Sequence, residues 1–471
     1  MTEETKADES AAAAPRGGEL VVCGATDWWS VGRTKDVRAD LYPNLLSPHR
    51  LKVLEGIRIS LVSSGSSSCH VFAVSTSGDA FAWGRNDKGQ LGLGDFANRA
   101  EPTRVASLSS SSDPAVAAAC GKVHSVVATR SGAAWSAGSN AQGQLGVGAP
   151  GRRVPKGTED VRSAFEKVGS LSGRRVTAVS AGLEFSVWLD GSGALFTAGS
   201  QQYGQCGHGT DGAYNAADSS VKIVYEPLRT PKRVEALADK RVTAIAAGHN
   251  HAIAVASDGG VWTWGFGGYG RLGHRVQQDE HRPRLVEALA GRVTVPPTAV
   301  VAAGGTSSFV TVTGGQLYAW GKLKPSGENL MYPTPYLELA GWEIRDMAAG
   351  PTTFAVAGAL DGVASAITWG HAGGHGELGY GPGGKKSSSN PDKCLALEGA
   401  DCFAVAAGAG HTAFLVDPDA EVTRELPEFK AKKPEDLDTV PTPGGASGGG
   451  AGGAKRKAAA GGRGAKAAKR R

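Results

Sequence analysis

Apolar and polar residues alternate along most of this chain in short runs that glycine interrupts. Arg175-Val176-Thr177-Ala178-Val179 and Ala194-Leu195-Phe196-Thr197-Ala198 are typical period-2 stretches. Such alternation predicts strands with one buried face, because successive side chains point to opposite sides of a sheet. Two phrases recur around these runs. In the first, an apolar run ends in Gly, seven residues follow, then a second Gly: Cys23-Gly24 to Gly32, Trp83-Gly84 to Gly92, Ala137-Gly138 to Gly146, Ala198-Gly199 to Gly207 and Trp264-Gly265 to Gly273. Trp369-Gly370 to Gly379 carries one extra residue, and at Trp320-Gly321 only the first half survives. The second phrase is an apolar run ending in Gly, a short turn and a new strand, as in Cys120-Gly121-Lys122-Val123-His124, Ala181-Gly182-Leu183-Glu184-Phe185, Ala247-Gly248-His249-Asn250-His251 and Ala407-Gly408-Ala409-Gly410-His411.

The first glycines lie 60, 54, 61, 66, 56 and 49 residues apart. Units of that length, each with several short strands, match the four-stranded blade of a propeller. The expected fold is all-β, a seven-bladed β-propeller. Its ends are complementary: the last unit stops after Thr412-Ala413-Phe414-Leu415-Val416, and the first begins with the piece it lacks, Leu20-Val21-Val22-Cys23-Gly24. The N-terminal strand is therefore expected to complete the C-terminal blade, which removes two exposed sheet edges. The domain reading is a disordered acidic leader at 1–18, the propeller at 19–417 and a Pro/Gly/Ala-rich basic tail at 418–471, too poor in large apolar groups to fold alone.

Composition sharpens this picture. Glycine is abundant, 69 of 471 residues, as many tight turns would require. The net charge of +5 is unevenly placed: residues 430–471 hold eleven Lys/Arg against three Asp/Glu, a surplus of eight, which leaves the rest at −3. The six cysteines are scattered without a CxxC pair, which argues against a disulfide or zinc framework. No apolar run approaches membrane-spanning length.

Several constellations invite chemical readings. Gly265-Phe266-Gly267-Gly268-Tyr269-Gly270 spells GxGxxG after a strand, but a dinucleotide loop needs a helix next, and Arg271-Leu272-Gly273-His274 continues the blade phrase instead. His371, His375 and Glu377 sit in a glycine-rich turn that gives metal ligands no fixed geometry. His124, His251 and His411 share one repeat position, which predicts a structural ring-nitrogen bond to a neighbouring strand or turn. Trp83, Trp264, Trp320 and Trp369 also share a position and are expected in the blade core. No nucleophile–base arrangement stands out, so no catalytic residue, metal or cofactor is assigned. Gly209 to Pro227 is surplus to the longest unit, and Val221-Lys222-Ile223-Val224-Tyr225 within it predicts an extra strand, part of a hairpin off one face. Arg152, Arg153, Lys156, Arg162 and Lys167 form a basic loop suited to an acidic partner. In the tail, Lys455-Arg456-Lys457 and Lys469-Arg470-Arg471 have the spacing of a bipartite nuclear import signal and a charge that also suits DNA phosphates.

The phrase Trp83-Gly84-Arg85-Asn86-Asp87-Lys88-Gly89-Gln90-Leu91-Gly92 resembles the regulator-of-chromosome-condensation repeat, and the likeness extends from about 19 to 417. Within that family, Cys23 through Trp28, Gly32-Arg33, Pro48-His49-Arg50, Trp264 through His274, Met331-Tyr332-Pro333, Gly341-Trp342 and Gly376 through Gly381 look most like the branch of the second chromosome-condensation regulator. The resemblance implies a nuclear, mitotic and cytoskeletal regulator that binds a small GTPase of Ran, Rac/Rho, Ral or Arf type, associates with chromatin and microtubules, and promotes guanine nucleotide exchange. An adaptor without exchange activity is the alternative. The resemblance makes Asp27, Asn86, Asp87, Asn140 and Tyr203, on the turn between the two glycines, candidate GTPase contacts, together with Lys222 and Tyr225 of the insertion. A closed ring needs no second subunit, so a monomer is expected. The leader departs from the animal relative, being acidic where that one is basic.

Overall fold

The computed structural model describes residues 15–29, 31, 42–149, 159–217, 220–371 and 374–431. Seven antiparallel sheets follow one another along the chain. Blade 2 shows the pattern: Ala115–Cys120 nearest the axis, then His124–Thr129, Ala134–Ser139 and Val161–Lys167 at the outer edge. Blade 1 spans Ile59 to Arg104, blade 3 Val176 to Arg233, blade 4 Val242 to Leu285, blade 5 Val301 to Pro335 and blade 6 Glu343 to Lys393.

Blade 7 joins the two ends of the chain. Cys402–Ala407 and His411–Val416 are followed in the sheet by Glu19–Gly24 and then Leu45–Leu51. Glu19–Gly24 pairs residue for residue with the C-terminal strand, from Glu19 opposite Val416 to Gly24 opposite His411. The N-terminus thus supplies two strands of this blade, one more than the sequence shows.

The sheet continues to a fifth strand. Past residue 417 the chain makes a short helix, Glu421–Glu425, and Glu428–Phe429 then pairs in parallel with Arg50 and Leu51. Arg50 holds Glu428 at 3.1 Å, and its amide donates to the Pro427 carbonyl. The packed body therefore runs to Ala431, beyond the boundary at 417 that composition indicates. Phe429 supplies the apolar anchor, against Leu51 and Leu54 of the same cluster.

There is no single core. Seven apolar clusters fill the seven gaps between neighbouring blades. Trp83, Trp264, Trp320 and Trp369 are buried in four of them, as their repeat position indicates.

Strand order sorts the connections onto two faces. First-to-second and third-to-fourth connections emerge on one, here the loop face. The second-to-third turns and the 3-10 linkers between blades emerge on the other, the turn face. The glycines of the two phrases serve this geometry. Gly84 has φ of +113°, and a Cβ there would stand 2.5 Å from the Cys69 carbonyl oxygen. A Cβ on Gly121 would lie 2.1 Å from the imidazole of His124.

Candidate partner-binding face

The loop face is built around a recurring turn, and its polar residues first hold the turn itself. The side-chain oxygens of Gln90, Gln144 and Gln205 accept the amides of Lys88, Gln142 and Tyr203 at 2.8–2.9 Å. In blade 6 the Glu377 carboxylate takes this role, accepting the His375 amide at 2.9 Å. Among the described residues, no three His, Cys, Asp or Glu are grouped so as to hold a metal ion. The GxGxxG segment of blade 4 closes as a 3-10 turn, Gly268–Gly270, and leads to the strand Glu280–Leu285.

The rim residues expected to meet a GTPase divide by burial. Asn86 is fully buried: its amide nitrogen donates to the Asp95 backbone and carboxylate, and its oxygen accepts the Leu91 amide. Asn140 repeats this with Asp160, Gly148 and Leu145. Both are turn braces whose polar atoms are spent inside the fold. Asp27 is buried and accepts the Trp29 amide. Asp87 and Tyr203 are half-buried, and Tyr203 packs on Phe266 with ring centroids 4.9 Å apart.

The insertion in blade 3 forms the hairpin that its alternation predicts. Ala213–Asn215 pairs with Ile223–Tyr225, and Gln201 of the blade turn donates to the Glu226 carbonyl at its base. Asn215 accepts the Lys222 amide and donates to the Ser220 carbonyl, which fixes the upper end. Tyr214, Ile223 and Val221 face solvent, Val221 at 85% exposure. Lys222 is exposed beside them, whereas Tyr225 is half-buried at the base. This is an apolar projection braced by hydrogen bonds, where monomeric surfaces more often carry polar groups.

The basic loop of blade 2 is split. Arg152, Arg153 and Lys156 lie outside the described residues. Arg162 is on the outer strand, paired with Asp160 and Glu166. Lys167 ends that strand on the turn face, away from the loop. The tail residues Lys455, Arg456, Lys457, Lys469, Arg470 and Arg471 also lie outside the described residues.

The repeat histidines are seated between blades. His124 Nε2 meets Ser186 Oγ at 2.9 Å, His251 meets Ser308 at 2.9 Å and His411 meets Ser64 at 3.0 Å. Each partner is on the next blade, as their shared position suggests. A fourth, His70, bonds Ser125 at 2.8 Å; an extended turn, Gly65 to Cys69, hides it from the spacing search. Ser125, Ser186 and Ser308 each donate their one proton back to a loop-face carbonyl, of Gln90, Gln144 and Arg271. The imidazole Nε2 must then be the donor to serine, which leaves Nδ1 of His124 and His251 bare, whereas Nδ1 of His70 meets Ser68 Oγ at 2.9 Å. Burial pushes His70, His124 and His411 down to about 3, and His251 well below its ordinary value.

Comparison with known proteins follows the same outline. The regulator of chromosome condensation (RCC1) repeat matches residues 77–128, 131–189, 192–255 and 258–311. Human protein RCC2 is 35% identical over 438 residues, covering 88% of this chain and 80% of the relative. The chain belongs to the RCC1 repeat family. Two solved propellers confirm the fold: human WBSCR16, with a TM-score of 0.67 at 21% identity over 85% of this chain and 99% of that one, and yeast RCC1 (Prp20) bound to Kap60, with 0.66 at 18% over 93% and 98%. Prp20p of Saccharomyces cerevisiae has also been described with its binding to Gsp1p and histones, and matches with a TM-score of 0.65 at 18% identity over 90% of this chain and 96% of that one.

Proposed function

We propose that this RCC1-family propeller is a nuclear and mitotic regulatory scaffold whose loop face binds a small GTPase, while its basic tail carries it into the nucleus and onto chromatin, with microtubules a further partner in mitosis. The hairpin Ala213–Asn215/Ile223–Tyr225 carries this reading. A braced apolar projection can insert beside a nucleotide site and favour the nucleotide-free GTPase, trading affinity for that state against nucleotide. The binding of Prp20p to Gsp1p and histones, and of Prp20 to Kap60, supports carrying these partner classes over to a relative of the same fold.

Replacing residues 213–225 with a short Gly-Ser link should weaken binding to the nucleotide-free GTPase by roughly tenfold or more, as loss of a central apolar anchor does elsewhere. Fluorescent GDP release from Ran, Rac/Rho, Ral and Arf types, paired with nucleotide-free pull-downs, reads this directly. Unchanged affinity in the variant would end the role of the hairpin. An adaptor without exchange activity is favoured by one observation: Asn86 and Asn140 are buried, so fewer polar rim groups remain to compete with a phosphate-loop lysine. Tight binding without faster release would select it.

The tail has its own test. Alanine at Lys455, Arg456, Lys457, Lys469, Arg470 and Arg471 should leave the melting midpoint unchanged and abolish nuclear accumulation. A variant still retained in the nucleus refutes the import role.

A further inference from the structure

A second feature lies on the turn face. A cavity of about 280 Å³ opens between the outer part of blade 2 and the 3-10 linker into blade 3. Ser131, Lys167, Ser172, Gly173, Arg174 and Arg175 contribute to its wall, and no carboxylate does.

Its three cations are held in different ways. Arg16, Arg50, Arg58, Arg99, Arg104, Arg284 and Arg345 all hold ion pairs. Among the described residues, neither Lys167 nor Arg175 has a carboxylate partner. Arg174 is anchored: Nη1 lies 3.1 Å from Asp190, and its guanidinium sits 4.5 Å from the centre of the Phe196 ring. Two carboxylates stand behind the wall, and both are engaged. Asp113 accepts the Ser131 amide and hydroxyl, and Asp190 accepts from Ser192 and Ala194 as well as Arg174.

The repeat provides an internal control. Five other linkers on this face carry a 3-10 turn, and each holds a carboxylate in or just after it: Glu55, Asp113, Glu235 with Asp239, Glu338 with Glu343, and Glu398 with Asp401. The linker Gly169-Ser170-Leu171-Ser172-Gly173-Arg174-Arg175 has none. Gly173 has φ of +84°, and a Cβ there would meet nothing within 4 Å, so the backbone is open to a ligand at this point. Blade packing needs only the buried leucine of this turn, Leu171, which all six linkers share as Leu54, Leu108, Leu171, Leu237, Leu339 and Leu397.

We propose that this cavity is a docking site for a phosphoserine or phosphothreonine side chain of a partner protein. A phosphomonoester carries close to two negative charges and three acceptor oxygens at neutral pH. Lys167 and Arg175, with the anchored Arg174 beside them, line one hollow and oppose that dianion, and arginine meets phosphate oxygens through paired N–H donors. Duplex DNA presents singly charged phosphates spread along a helix, which calls for cations in a line, whereas these surround one hollow. The site is on the face opposite the hairpin and does not depend on GTPase binding.

The test uses the full chain and its Lys167→Glu/Arg175→Glu variant, with the milder Arg175→Gln as a second. Probes are a degenerate phosphoserine peptide pool, the same pool unphosphorylated, and a short DNA duplex. The tail is present in every protein, so its nonspecific binding cancels in the comparison. The wild-type protein should bind the phosphorylated pool roughly tenfold more tightly than the unphosphorylated one. The double variant should lose that preference, Arg175→Gln should weaken it severalfold, and melting midpoint and duplex binding should hold. Equal binding of the two pools by the wild-type protein overturns the proposal. So does a preference that survives in the double variant, which assigns it to the tail. Loss of duplex binding without any phosphopeptide preference would make the cavity part of a DNA-contacting surface instead.

Discussion

Deleting Glu19–Gly24 will abolish the cooperative unfolding transition of the whole propeller, although it removes only six residues. Leu20 and Val22 point into the gap between blades 7 and 1, and Val21 and Cys23 into the gap between blades 6 and 7. All four are buried. Burial of such side chains contributes about 1.5–3 kcal/mol each for the larger ones, so together they approach the whole stability of an ordinary domain, about 5–15 kcal/mol. The deletion also exposes the edge of His411–Val416 and separates Leu45–Leu51 from its sheet. Calorimetry is the direct readout, with Leu20→Ala as a graded companion expected to cost about 2–5 kcal/mol. A peptide spanning residues 16–26, added in trans, should restore part of the transition to the deletion variant. A deletion variant that melts like the parent would show that ring closure does not hold the fold.

The ring was legible because its signals are local and repeated. Gly84 and Gly121 occupy positions where a side chain would strike a neighbouring strand or an imidazole, so glycine recurs there from blade to blade. The hairpin was legible for a similar reason, since Val221 to Tyr225 alternates within an insertion. What escaped the sequence is contact between distant residues. Nothing near Asn86 announces that Asp95 and Leu91 will spend its amide, so a buried brace and an exposed contact look alike. The strand Glu428–Phe429 is two residues long and exists only because Leu45–Leu51 offers an open edge. Lys167 belongs in sequence to the basic loop, but a strand of seven residues carries it to the opposite face. Period-2 patterning states that a strand has two sides; it does not state what each side meets.

Acid will unfold this protein steeply between about pH 6 and pH 4.5, and its buried histidines, the inter-blade ones foremost, drive the loss. In the unfolded chain an imidazole titrates near about 6.5. In the ring, burial first of all holds His70, His124 and His411 at about 3 and His251 well below the ordinary value. The bare Nδ1 of His124, His251 and His411 has no acceptor to receive a second N–H. A folded pKa below the unfolded one means that the unfolded chain binds more protons throughout the window between them. Stability is therefore fully present above about 6.5 and is lost as pH falls towards about 3, by about 1.4 kcal/mol per unit for each histidine. By pH 5 four such groups remove about 8 kcal/mol, comparable with the total stability of a domain. Asp113, Glu159 and Asp190, held below the usual carboxylate range by partners that outweigh their burial, steepen the loss further at lower pH. Burial raises Glu19 and Asp346, which oppose the trend, while His208 and His274, lowered to about 4 by burial, add to it. Urea unfolding across pH 7.5 to 4.5 measures the slope, and His124→Gln/His251→Gln should flatten it measurably by removing two of these contributions while lowering stability at pH 7.5 through two lost inter-blade bonds. If that double variant keeps the parent's slope below pH 6.5, the ring histidines are not what makes the propeller acid-labile.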